Sequence, residues 1–313
     1  MVEIISSLKE FKDFCHRASR EPYITIDTEF IRERTYYPKL CLIQIAFRGS
    51  DKANAAIIDA QSSEINLQPL YDLFKNNEVV KVFHAARQDL EIFFSNAQIF
   101  PEPFFDTQVA AMVCGFGEQV AYETLVRKLL SVDLDKSSRF TDWSQRPLSE
   151  KQINYAISDV THLRNVYEEL KKRLDENGRA KWVEEELGVL TNPKTYNWSV
   201  DEAWKKIKVR NKNPFFLSFV KNIAMFRETE ARSRNIPRNR ILKDEMILEL
   251  AALKPKNGFD LKKSRLLHED AKRGWLRDGI ISAIKNTSKL TDSELNELNS
   301  IQKKSIHIEG LRE

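Results

Sequence analysis

The sequence of 313 residues has no run of eighteen apolar residues, so nothing in it reads as a membrane span. Its start, Met1 to Lys9, lacks a basic stretch followed by an apolar one, which argues against a secretion signal. Cysteine is scarce. Cys15, Cys41 and Cys114 are far apart, odd in number and without CxxC spacing. That argues against a disulfide framework or a zinc site and suits a reducing, cytoplasmic setting. No internal repeat or long low-complexity tract is present. Hydrophobic residues make up 42% and charged residues 31%, enough for a soluble chain with a real core. The length suits one large domain and a smaller one.

The net charge of +4 conceals an asymmetry. From Lys208 onward there are 23 Lys and Arg against 14 Asp and Glu, a balance of +9; the remainder holds 27 against 32, or −5. An acidic part followed by a basic part suits a metal-bearing site joined to a module that meets polyanions, although basic helical surfaces are also common.

Strands and helices alternate in the first part. Tyr23 to Phe30 alternates with the strand period, setting Ile24 and Ile26 on one face and Asp27 and Glu29 on the other. Leu40 to Phe47 is almost wholly apolar, as in a strand covered on both faces. Ala55 to Asp59 and Val79 to Ala85 read as further strands. Helices are expected near Gln88 to Asn96, Asp106 to Cys114, Tyr122 to Ser131 and Ser149 to Leu174. The last opens on a Ser149/Gln152 capping box and carries one apolar stripe from Ile153 to Leu170. The expected layout is a mixed α/β domain over 1–190, a linker over 191–209, an all-α domain over 210–290 and a tail over 291–313 with a polar helix near Asp292 to Lys303.

Three short motifs carry chemistry. Asp27 and Glu29, two apart on a strand, project from one face, and crowded carboxylates repel unless a cation lies between them. All-oxygen ligands favour Mg²⁺ or Mn²⁺ over zinc. Asp89 follows a strand early in a helix, where ligand sites of α/β sheets lie, although it could simply favour the helix N-terminus. Tyr155 and Asp159, at i and i+4, share the flank of the long helix. Each alone has a bland alternative: a turn cap, a dipole partner, a polar helix flank. His84 is as compatible with a structural hydrogen bond as with a phosphate contact, and Asp106 reads as a helix N-cap.

Taken together, DTEF (27–30), HAARQD (84–89) and YAISD (155–159) resemble the exonuclease family named for its Asp-Glu-Asp-Asp residues, tyrosine subclass. PKLCLIQIA (38–46), FDTQVAA (105–111), DWSQRPLSEKQINYAISDVTHL (142–163) and ARSRNIPRNRILKDE (231–245) look like the bacterial ribonuclease D family. The last stretch lies in the helical domain shared with RecQ-type helicases (HRDC). The likeness covers about Val2 to Ser288. The best-known bacterial members carry a second helical copy; this sequence shows one.

The resemblance implies an RNase H-like α/β exonuclease domain followed by an HRDC-like helical domain. It implies 3′→5′ hydrolysis of RNA by two divalent ions, releasing nucleoside 5′-monophosphates. Asp27, Glu29 and Asp159 would hold the first ion; Asp27 would bridge to the second, supported by Asp89. Tyr155 would orient the attacking water. Thr28 and Phe30 would lie near the terminal base, with Phe30 either stacking on it or serving as a core aromatic. Gln44, His84, Arg139, Trp143 and Arg146 are further substrate-contact candidates. Arg227, Arg232, Arg234, Arg238, Arg240 and Lys243 form a basic path for phosphates, or else a solvated and salt-bridged face. The implied partner is RNA with a free 3′ end, transfer RNA precursors above all. No membrane and no obligate protein partner is expected. A DNA proofreading exonuclease is the competing enzyme, and a catalytically dead RNA-binding adaptor the competing non-enzyme.

Overall fold

The computed structural model describes residues 3–49, 51–135, 137–196, 199–288, 290–291 and 293–295. The chain divides into two compact units, residues 1–32 with 37–196, and residues 33–36 with 197–313. Among the described residues no helix is long and apolar enough to cross a membrane.

The first unit is built on six strands: β1 (Glu3–Ile5), β2 (Tyr23–Ile31), β3 (Lys39–Phe47), β4 (Ala55–Asp59), β5 (Val80–Phe83) and β6 (Phe104–Asp106). They lie in the order β1-β4-β3-β2-β5-β6. The central strands β2, β3 and β4 pair antiparallel, whereas β1, β5 and β6 join parallel, so the sheet is mixed. The helices are α1 (Leu8–Ala18), α2 (Gln68–Phe74), α3 (Arg87–Ala97), α4 (Thr107–Val113), α5 (Tyr122–Leu130), α6 (Glu150–Asn177) and α7 (Ala180–Leu190).

Strand alternation sorts the side chains into two layers. Ile24, Ile26, Ile43, Ile45 and Ile58 bury against Phe11, Phe14, Phe74, Leu90 and Phe93 of α1, α2 and α3. The opposite face is covered by α6, whose Ala156 and Val160 pack on Leu42, Ala46 and Ile57. The capping box foreseen in the sequence starts α6: Ser149 Oγ accepts from Gln152 N, and the Ser149 backbone N–H donates to Gln152 Oε1 at 3.0 Å. Gly178, with φ +70°, ends it in the left-handed conformation that costs glycine least.

The second unit contains α8 (Pro214–Ser233), α9 (Arg238–Ile241), α10 (Asp244–Leu253), α11 (Gly258–Leu261) and α12 (Gly274–Lys285). The segment 191–209, expected to be a linker, is not featureless. Its later part forms a 3₁₀ turn at Val200–Lys206, and Trp204, Ile207 and Val209 are buried in the core of the helical unit. Short 3₁₀ turns carry no 3.6-residue period, so their apolar residues did not stand out as an amphipathic pattern. Of the expected tail helix, residues 293–295 are described and helical; the rest lies outside the described residues.

Candidate active site

Asp27 and Glu29 leave β2 on the α6 face, and Asp159 descends to them from α6. One carboxylate oxygen from each lies within 4.8 Å of the others. Two hydrogen bonds hold α6 at this height. Thr25 Oγ1 donates to the Val160 carbonyl at 2.8 Å, and the Tyr122 hydroxyl donates to the Asp159 carbonyl at 2.7 Å. The helix carrying Asp159 is thus tied to β2 below and to α5 beside it.

Asp89 enters from the first turn of α3 and is buried. It accepts a hydrogen bond from the Thr28 hydroxyl, which projects from the other face of β2. The turn before α3 is shaped by Asp106. Its carboxylate caps α4 and also accepts from the backbone N–H groups of Ala85, at 3.1 Å, and Ala86, at 2.9 Å. Ala85 sits at φ +55°, a left-handed position in which an alanine is strained, and the Asp106 contacts hold it there.

The charges conflict with one another. Burial, then Asp159, pushes the Asp27 carboxyl up to about 8. Burial, then Asp27, Asp159 and Asp89, pushes Glu29 up to about 10, with Arg139 opposing. Asp159 rises to about 7 through burial, while hydrogen bonding from Tyr155 and the charge of Arg139 pull it back. Asp89 is also raised, by burial and then by Asp27. Carboxylates crowded into a low-dielectric cleft ionise only against this repulsion, and a divalent cation removes it. An all-oxygen donor set suits a hard ion.

Asp27, Asp89, Asp159, Tyr155, Thr28, Phe30, His84 and Arg139 line one cavity of about 430 Å³. A β-bulge between Glu29 and Phe30 shifts the register and re-aims Phe30. His84 Nδ1 lies 3.0 Å from Thr107 Oγ1, so one ring nitrogen has a structural partner. Burial lowers the histidine pKa and favours a neutral ring, which weakens the phosphate reading.

Three proposed substrate contacts do not reach the cavity. Gln44 is fully buried beneath α6, because β3 is covered on both faces. Trp143, 3% exposed, packs on the apolar cluster of Cys41 and Leu42, its ring 5.9 Å from that of Tyr155. Arg146 grips Asp59 through two nitrogens, at 2.8 and 2.6 Å, tying its loop to β4. Tyr122 and Glu123, in contrast, line the cavity and were not singled out in the sequence. As the first turn of an ordinary amphipathic helix they carry no local signal.

In the helical unit, Arg227 is 1% exposed and bonds Asp244 Oδ1 at 2.6 Å and the Leu242 carbonyl at 3.1 Å, which removes it from any phosphate path. Arg232 and Arg238 approach Glu228 at 3.3 and 3.8 Å, and Arg234 bonds Glu230 at 2.7 Å. Arg240 is exposed.

Comparison with known proteins identifies the two domains and the family. A family model for 3′-5′ exonucleases matches residues 2–175, and one for the HRDC domain matches residues 216–273. Ribonuclease D of Jannaschia sp. is 51% identical over 295 residues, covering 94% of this chain and 76% of that one. Ribonuclease D of Bartonella henselae is 45% identical, covering 91% and 69%. The crystal structure of Escherichia coli RNase D, an exoribonuclease involved in structured RNA processing, matches with a TM-score of 0.83 at 26% identity, covering 94% of this chain and 76% of that one. Carrying an acidic cluster on this fold, the chain belongs to the ribonuclease D family of divalent-metal-dependent 3′→5′ exoribonucleases.

Proposed function

We propose that the chain trims 3′ extensions of transfer RNA precursors in the cytoplasm with two divalent ions, Mg²⁺ or Mn²⁺, and releases nucleoside 5′-monophosphates. The observation that carries this reading is the convergence of Asp27, Glu29 and Asp159 within 4.8 Å, beside a cavity lined by Asp27, Asp159, Asp89 and Tyr155. Asp27, Glu29 and Asp159 would hold the first ion; Asp27, supported by Asp89, would serve the second. Ions held there would supply a hydroxide nucleophile at neutral pH and would neutralise charge on the leaving oxygen.

The protein's own groups do the positioning. Burial and the neighbouring Asp159 push the Tyr155 hydroxyl pKa far up, so it stays protonated. A protonated phenol orients water and does not abstract its proton. Arg139, exposed at the cavity, can meet a substrate phosphate, whereas Arg240 offers a sequence-independent phosphate contact. A named relative that acts in structured RNA processing supports a structured body with a single-stranded 3′ end.

The test uses a 5′-labelled transfer RNA precursor with a 3′ extension, with chelator, Mg²⁺ or Mn²⁺. The expected result is metal-dependent shortening from the 3′ end and 5′-monophosphate release. No shortening, or faster attack on single-stranded DNA of the same sequence, overturns the reading.

A further inference from the structure

Gln44 is the anomaly of the sheet. It is 0% exposed, and neither its amide nitrogen nor its amide oxygen has a hydrogen-bond partner. Burying an unpaired amide is unfavourable, because it gives up its hydrogen bonds to water and gains none in return. Nothing about the packing asks for a glutamine there. Leu42 and Ala46 flank it along the same face of β3, and Ile57 stands opposite it on β4. These neighbours pack on Ala156 and Val160 of α6. A leucine or methionine would fill such a position without penalty.

Across the other ladder, however, Gln44 is in register with Asp27. Residues directly opposite in an antiparallel pair project from the same face, with Cβ atoms roughly 4.5–5.5 Å apart. A glutamine amide spans that gap. The unspent donor and acceptor therefore stand beside one of the three carboxylates gathered at the acidic cluster.

We propose that Gln44 is a positioning residue of the metal site, its amide N–H donating to the Asp27 carboxylate and steering that carboxylate toward a bound cation. The oxygen of the same amide remains free to accept from a metal-bound water. Asp27 sits on a rigid strand, so one donor at its side restricts the rotation left to its carboxylate. Groups that orient a ligand in this way change metal affinity by about 10- to 100-fold. The inference rests on the assignment of Asp27 as a ligand and adds a residue that never touches RNA.

The test is Mn²⁺ titration of the whole protein without RNA, followed by calorimetry and by the metal-induced rise in Tm. Wild type, Gln44→Met, Gln44→Leu and Asp27→Asn are compared. Gln44→Met should keep or raise the metal-free Tm, because an unpaired buried amide is gone. Its Mn²⁺ affinity should fall about tenfold. A purely structural glutamine would show the reverse: a lowered metal-free Tm and unaltered Mn²⁺ affinity. If Gln44→Met binds Mn²⁺ within twofold of wild type, the role assigned to Gln44 is wrong. If Gln44→Met fails to fold, Gln44→Leu carries the same comparison. Failure of both to fold overturns the proposal too, since the amide would then be bonded within the fold. Should Asp27→Asn also bind Mn²⁺ normally, the ligand assignment falls and Gln44 falls with it; loss in Asp27→Asn alone rejects Gln44 only.

Discussion

The two units treat charge in opposite ways. In the sheet unit, Asp27, Glu29, Asp89 and Asp159 are pressed together, and their carboxyls rise above the ordinary range because each burial adds to the repulsion of the next. In the helical unit the arginines are largely answered on the spot: Arg227 by Asp244, Arg232 and Arg238 by Glu228, Arg234 by Glu230. A concentration of one charge sign in a sequence therefore means different things in the two places. Where the fold leaves the conflict standing, the charges await a ligand; where it supplies counter-charges, they mainly hold helices together.

Asp27→Asn should break the first half of this contrast most strongly. Turnover of a 5′-labelled RNA should fall by about a thousandfold or more, since metal ions contribute several kcal/mol to the transition state. Turnover within tenfold of wild type would remove Asp27 from the ligand set. Next in size is Tyr155→Phe, which keeps the ring beside Trp143 and deletes the hydroxyl. Single-turnover rates should drop about a hundredfold with RNA affinity nearly unchanged; weaker binding at an unchanged rate would make Tyr155 a substrate contact.

The helical unit is tested by Arg227→Met. Loss of its charge-assisted bonds to Asp244 and the Leu242 carbonyl should cost about 2 kcal/mol of stability in denaturant unfolding. The salt dependence of RNA binding should not move. A changed salt slope with intact stability would mean that Arg227 meets phosphate after all.

A smaller effect should appear in stability against pH without metal. Asp27 in the folded chain titrates near 8, far above an unfolded aspartate. Between about pH 4 and pH 8 the folded state keeps a proton that the unfolded state releases. Raising pH through that window therefore destabilises the fold. Asp27→Asn should remove part of the slope, so that its Tm exceeds wild type at pH 8 while the two agree near pH 4. Divalent metal, which binds wild type and not the variant, should remove the variant's advantage; equal pH slopes without metal would argue against repulsion at the cluster. The smallest change is expected for Arg240→Ala, which should reduce the log–log salt slope of RNA binding by roughly 0.7 to 0.9 without affecting Tm. An unchanged slope would leave its side chain a solvated one.

Much of this protein was settled by local sequence. The period-2 alternation of Tyr23 to Phe30 already set Asp27 and Glu29 on a shared face, because strand geometry leaves no other choice. The capping box at Ser149 and the stripe behind it placed Tyr155 and Asp159 on one flank of a long helix. The acidic-then-basic charge order and the three motifs pointed to metal-dependent cleavage of nucleic acid. What required the tertiary structure was every judgement about who stands opposite whom. Arg146 faces Asp59, 87 residues earlier in the chain, so it builds a loop instead of gripping substrate. Arg227 finds Asp244 and disappears into the helical core. Gln44, a substrate-contact candidate in the sequence, changes its meaning when the ladder sets it across from Asp27 and α6 seals it from water. Local pattern fixes the face from which a side chain leaves its element. Long-range packing decides its partner, and the partner determines whether a charge or an amide is structural or functional.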